Sequence, residues 1–109
     1  MSDIPTTDVA AAQAGAPTGL LLDVREHDEW AAGHAPGAVH IPMGDLQADQ
    51  LPTDKTIYCI CRSGGRSARV VQAMLGAGFD AVNVEGGMNA WSAAGYDVVT
   101  DDGSPGTVI

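Results

Sequence analysis

Runs of apolar residues alternate along this chain with segments whose apolar positions recur at helical spacing. That alternation predicts strands of a buried parallel sheet interleaved with covering helices. The first run is short, near Ile4, and Thr7 stands where it would cap a small alanine-rich helix from Asp8 to Ala14 that Gly15 ends. Leu20-Leu21-Leu22-Asp23-Val24 reads as a strand with an almost continuous hydrophobic run. Its apolar character breaks at Asp23 and Arg25, at the strand end where α/β sheets hold their ligands. Glu26 to Ala32 predicts a short helix with acidic residues in its first turn, closed by Gly33, and Pro36-Gly37 makes a turn. Ala38 to Ile41 predicts a short strand, and Pro42 to Leu51 a short surface helix with a connector. Thr56 to Ile60 is the second clear strand. Val71, Met74, Leu75 and Gly78 then recur at helical spacing on a helix that starts beside Arg66 and ends near Gly76 and Gly78. Ala81 to Val84 returns as a parallel strand, and Gly87 to Ala94 forms a last short helix. The expected class is α/β, with a central, mainly parallel sheet of about five strands and helices on both faces. One domain is expected over residues 1–100, with 101–109 as a loosely ordered tail.

The chemistry gathers where the Thr56–Ile60 strand ends. Cys61-Arg62-Ser63-Gly64-Gly65-Arg66-Ser67 places a cysteine at the start of a loop whose two glycines let the backbone curl and turn several N–H groups inward. The helix that follows adds the positive end of its dipole. Arg62 and Arg66 strengthen the field, and together these terms favour the thiolate of Cys61 over the thiol, whose ordinary pKa is about 8.5. Cys61 is the candidate nucleophile; Arg62, Ser63, Gly64, Gly65, Arg66 and Ser67 are the candidate cradle for an anion.

A formal net charge of −9, with five basic residues, opposes a sequence-independent grip on nucleic acid or on anionic lipid. It also concentrates attention on the loop, because Arg62, Arg66 and Arg69 account for three of the four arginines. Arg69 reads as a solvated helix residue. The two cysteines, Cys59 and Cys61, are separated by one residue on an extended run, too close for an unstrained bridge, which fits a reducing compartment. No basic-and-apolar leader precedes the domain, and no apolar run approaches the ~20 residues that span a bilayer, so the cytoplasm is the expected location. Cys59 reads as a small buried hydrophobe, with a resolving thiol as the alternative. His34 and His40 have no acidic or cysteine neighbours at ligand spacing and read as turn and strand residues, so no metal is expected. Trp30, Trp91, Tyr96 and Phe79 read as core anchors. Glu85-Gly86-Gly87 reads as a backbone crossing that only glycine permits.

Four motifs together resemble the rhodanese-homology domain: Asp23-Val24-Arg25-Glu26, Gly33-His34-Ala35-Pro36-Gly37-Ala38, Cys61 to Ser67, and Glu85-Gly86-Gly87-Met88-Asn89-Ala90-Trp91. They occur in the family's order and spacing, over about Ile4 to Val99. The resemblance implies a sulfurtransferase whose loop cysteine carries a transferable sulfur as a persulfide. It implies contact of the Glu85-Gly86-Gly87 segment with the active site, and it brings Asp23 and Arg25 near the loop as supporting residues. Asp23 then reads either as a strand-end cap or as the partner of a loop arginine, and Arg25 has the same two readings.

Cys61 and Arg66 enclose four residues, one fewer than in the cysteine phosphatases of related fold, and a tighter ring suits a sulfur atom better than a phosphoryl group. In the expected reaction Cys61 attacks the outer sulfur of thiosulfate or a low-molecular-weight persulfide, and a thiol, cyanide or a sulfur-accepting protein removes that sulfur. Two displacements on sulfur require no cofactor. The loop departs from the Cys-Gly-Ser/Thr-Gly-Val-Thr pattern of the mercaptopyruvate branch. Two other readings stay open at this point: a persulfide-carrying or regulatory module that works with a partner protein, and a small-oxyanion phosphatase or reductase.

Overall fold

The computed structural model describes residues 4–109, so the first three residues of the domain expected over 1–100 lie outside the described residues. The elements run β1 (Thr6–Thr7), α1 (Val9–Gly15), β2 (Leu20–Asp23), α2 (His27–Ala32), β3 (Val39–His40), β4 (Ile57–Ile60), α3 (Gly65–Gly76), β5 (Ala81–Val84) and α4 (Gly87–Ala93). The strands form one five-stranded sheet in the order β1-β5-β4-β2-β3. Every pair is parallel, with Leu22 opposite Cys59, Asp23 opposite Ile60 and Cys59 opposite Asn83. Parallel strands all end on the same side, so the carboxyl ends of β2, β4 and β5 deliver Asp23, Cys61 and Glu85 to one edge of the molecule.

Successive side chains of a strand face opposite sides of the sheet, and the two cores follow that alternation. On one face Leu22, Val24, Ile57, Cys59, Cys61 and Ala81 pack with Val70, Val71 and Met74 of α3 and with Leu51. On the other, Leu21, Ile60 and Val84 pack with Val9 and Ala12 of α1 and with Met88 and Trp91 of α4. The central strands are apolar on both sides because both sides are covered.

The structure shifts several local expectations. Thr7 belongs to β1, and Asp8 caps α1 instead, accepting from the Ala11 N–H at 2.9 Å; a carboxylate one residue nearer the first orphan amides takes the role. The segment 42–51 holds two single turns of 3₁₀ helix, Met43–Asp45 and Ala48–Gln50, in place of one helix. Trp91 is buried against Tyr96, as an anchor should be, and its Nε1–H donates to the Asp97 carbonyl. Trp30 is only half-buried: its ring stacks on His34 at 3.5 Å and on His40 at 4.7 Å. Residues 100–108 turn back onto the domain, where Thr107 donates to the Ala32 carbonyl, Gly106 to that of Val98, and Val108 packs against the second core.

Candidate active site

Cys61 sits one residue beyond β4, at the floor of the loop, with 1% of its surface exposed. The chain passes Gly64 at φ +109°, a left-handed conformation suited to glycine, and this turn aims the Gly64 N–H at the Cys61 Sγ, 3.1 Å away. Helix α3 begins at the next residue, so its unpaired first-turn amides and positive end also face the sulfur. One turn into α3 the buried Ser67 places its Oγ 3.2 Å from the Sγ. Burial pushes the Cys61 thiol up, but the Ser67 hydroxyl and the backbone N–H groups of Ser67, Gly64 and Ser63 outweigh it and hold the thiol below its ordinary value. Cys59, two residues back inside the core, has no such donors among the described residues, and burial pushes it up to about 12. Its Sγ lies 3.6 Å from the Met74 sulfur, a core packing contact.

Neighbouring elements hold the loop by its backbone. The first amides of α4 donate to it, Met88 N–H to the Cys61 carbonyl at 2.8 Å and Asn89 N–H to the Arg62 carbonyl at 2.9 Å. Gly87, at φ +55°, makes this possible: a Cβ there would lie 2.7 Å from the Arg62 carbonyl carbon. The crossing expected at Glu85-Gly86-Gly87 is therefore a direct brace of the cysteine loop. From β5, Asn83 gives its Nδ2–H to the Gly64 carbonyl at 3.2 Å, and its Oδ1, 2.6 Å from the Ser67 Oγ, shares the single Ser67 hydroxyl proton with the Cys61 Sγ. Asn83 was not among the sequence-derived candidates, although a polar residue inside the run Ala81-Val82-Asn83-Val84 is the signal that could have marked it.

The arginines differ most from expectation. Asp23 pairs with Arg25, two residues along, and not with a loop arginine: Arg25 Nε lies 3.0 Å from both carboxylate oxygens, Nη2 lies 2.8 Å from Oδ2, and a second Nη2 bond reaches the Gly33 carbonyl. Both residues are fully buried, so this pair ties the β2 end to the end of α2 rather than facing the cleft. Among the described residues the Arg25 Nη1 has no partner. Arg66 reaches across to α2, where its Nη1 and Nη2 grip the two oxygens of Glu29 at 2.6 and 2.8 Å. Arg62 is exposed at the rim with no ion pair among the described residues. Ser63 and Gly65 are exposed on the outside of the loop. The lowering of the Cys61 thiol thus comes from short-range donors more than from free positive charge.

This assembly of parallel strands, cysteine loop and glycine brace coincides with a known family. The profile of the Rhodanese-like domain matches residues 6–94. The chain belongs to the rhodanese-like domain family. It is 52% identical over 73 residues to YtwF of Bacillus subtilis (strain 168), covering 65% of this chain and 71% of that protein. It is 29% identical over 106 residues to a protein of Allochromatium vinosum named sulfurtransferase, covering 94% of this chain and 99% of the relative. The crystal structure of a rhodanese-related protein from Thermoplasma volcanium superposes with a TM-score of 0.84 at 32% identity, over 89% of this chain and 99% of that one. Among the described residues of this rhodanese-like chain, no helix is long and apolar enough to cross a membrane.

Proposed function

We propose that the protein is a sulfurtransferase that moves sulfane sulfur from a small anionic donor, thiosulfate or a low-molecular-weight persulfide, to a thiol, cyanide or a sulfur-accepting protein through a persulfide on Cys61. The observation that carries this reading is the set of donors on one sulfur, the Gly64 N–H at 3.1 Å and the Ser67 Oγ at 3.2 Å, at the start of a helix. Such a set stabilises a sulfur anion before donor arrives, and again when the added sulfur carries the charge. The Cys61 thiolate attacks the outer sulfur of the donor; the S–S bond breaks, and sulfite or a thiolate departs with the electron pair. The acceptor then attacks the outer sulfur of the persulfide and regenerates the Cys61 thiolate. Arg62, exposed at the mouth, meets the anionic end of the donor. The name of the Allochromatium relative points to the same chemistry.

Intact mass of the purified protein before and after incubation with thiosulfate or glutathione persulfide tests the proposal. Wild type is expected to gain one sulfur atom that cyanide removes as thiocyanate, and Cys61→Ser to gain none. Equal sulfur uptake by Cys61→Ser, or no uptake by wild type from either donor, overturns it.

A further inference from the structure

The Cys61 loop carries two arginines, yet among the described residues only Arg62 is without an ion pair, Arg66 being held by Glu29. Glu29 lies in the first turn of α2, 37 positions before Arg66, and takes both terminal nitrogens of its guanidinium in a fork-to-fork pair. Glu29 is itself held in place. Its Oε1 also accepts the Glu26 N–H at 3.0 Å, the capping box of α2, and only 13% of its side chain is exposed. The negative charge of Glu26 acts on the same guanidinium. Arg25 is no substitute, being buried against Asp23. The bidentate cation that an oxyanion would seek beside the nucleophile is already occupied.

Donors differ in how much they need that cation. Thiosulfate reacts by releasing sulfite, so dianionic charge gathers on the departing group bonded to the attacked sulfur: Cys61–S⁻ + S–SO₃²⁻ → Cys61–S–S⁻ + SO₃²⁻. Three oxygens then require donors at once. An alkyl persulfide releases a thiolate, with one charge on one sulfur: Cys61–S⁻ + RS–SH → Cys61–S–SH + RS⁻. The loop N–H groups can serve that single charge without a guanidinium.

We propose that Glu29 is a specificity-determining residue which, by occupying Arg66, turns the site away from thiosulfate and towards persulfide donors. It is a positioning residue, acting through Arg66 and not on the reacting sulfur. This deepens the sulfurtransferase reading and rests on it, so its test includes a measurement that does not require turnover.

Glu29→Gln keeps the oxygen that caps α2 while removing the charge that holds Arg66. The ratio of kcat/KM for thiosulfate to kcat/KM for cysteine persulfide is expected to rise about tenfold in this variant, the worth of one recovered charge-assisted contact, and through KM more than kcat. Glu29→Asp, which keeps the charge, restores most of the wild-type ratio. Adding Arg66→Met to Glu29→Gln abolishes the gain, because the freed guanidinium makes it. Calorimetric titration of thiosulfate into Cys61→Ser, with and without Glu29→Gln, reads binding alone and is expected to show about tenfold tighter binding when Glu29 is neutral. An unchanged ratio, a gain that survives loss of Arg66, or equal binding by the two Cys61→Ser proteins overturns the role of Glu29. Tighter binding without sulfur uptake by wild type from either donor upholds Glu29 as the gate on anions and refutes the sulfur chemistry instead.

Discussion

Gly87→Ala probes how far catalysis depends on the brace beneath the cysteine loop. At φ +55° an alanine costs about 1–2 kcal/mol in backbone strain. Its Cβ would also collide with the Cys61 carbonyl oxygen and stand 2.7 Å from the Arg62 carbonyl carbon and oxygen, whereas ordinary contacts begin near 3.4 Å, so the two segments must part by most of an ångström. That displacement strains the bonds from Met88 to Cys61 and from Asn89 to Arg62, each worth about 1 kcal/mol net. Together the terms give a loss of about 3 kcal/mol, which at about 4 °C per kcal/mol for a domain of this size lowers Tm by about 12 °C. Because the moved carbonyl belongs to the nucleophile's own loop, persulfide formation is expected to slow by about tenfold or more, given that a shift of about 1 Å can cost 10²-fold. The matched control is Gly37→Ala, at φ +79° with nothing within 4 Å of the added carbon, which carries the backbone penalty without the collision. Calorimetric melting and the rate of sulfur uptake by mass spectrometry are read on both variants. Equal melting losses in the two, with uptake in Gly87→Ala within twofold of wild type, would refute the brace.

Ser67→Ala removes the hydroxyl beside the thiolate, so Cys61 titrates at higher pH; sulfur uptake at pH 7 slows by about tenfold, and the deficit closes as pH rises through the new titration. Asp23→Asn leaves Arg25 charged and buried with its partner neutralised, and urea unfolding should show a loss of about 3–5 kcal/mol, much of it regained when Asp23→Leu is combined with Arg25→Met. Glu29, held at about 2 by Arg66 against an ordinary value of 4.5, binds its proton more weakly folded than unfolded. Its contribution is therefore full above pH 4.5 and fades as pH falls towards 2, so the urea midpoints of wild type and Glu29→Gln should converge over that window, and parallel midpoints would refute the pairing.

The strands that build the sheet were legible because burial on both faces leaves them nearly free of polar residues: Leu20 to Val24 and Thr56 to Ile60 announce themselves. The cysteine loop was legible for a local reason, since cysteine, two glycines and a helix start lie within seven consecutive residues. What stayed hidden depends on distance along the chain. Glu29 and Arg66 meet across 37 positions, and nothing in either neighbourhood names the other. Asn83 reaches the loop only because β5 lies beside β4 in register, Cys59 opposite Asn83. Asp23 and Arg25 misled for the opposite reason: a pair two residues apart closed on itself, while the positive charge clustered around Cys61 suggested a longer reach. The turn of residues 100–108 back onto α2 is likewise invisible in a stretch rich in Asp, Gly, Ser and Pro, because its backbone bonds name no side chain.

The brace from α4 also fixes when the Cys61 loop takes its final shape. Parallel pairing joins residues distant in sequence, so the Cys61 loop cannot be held until β5 has docked beside β4 and Gly87 to Asn89 have closed over Arg62. A chain emerging from the ribosome displays Cys61 well before those residues exist. Through that interval the loop lacks Asn83 and the α4 amides that hold its backbone, so the donors around the Cys61 Sγ are not yet fixed in place. On the proposed chemistry, the site is completed only at the closing step of folding, because the segment that holds the loop comes later in the chain than Cys61 itself.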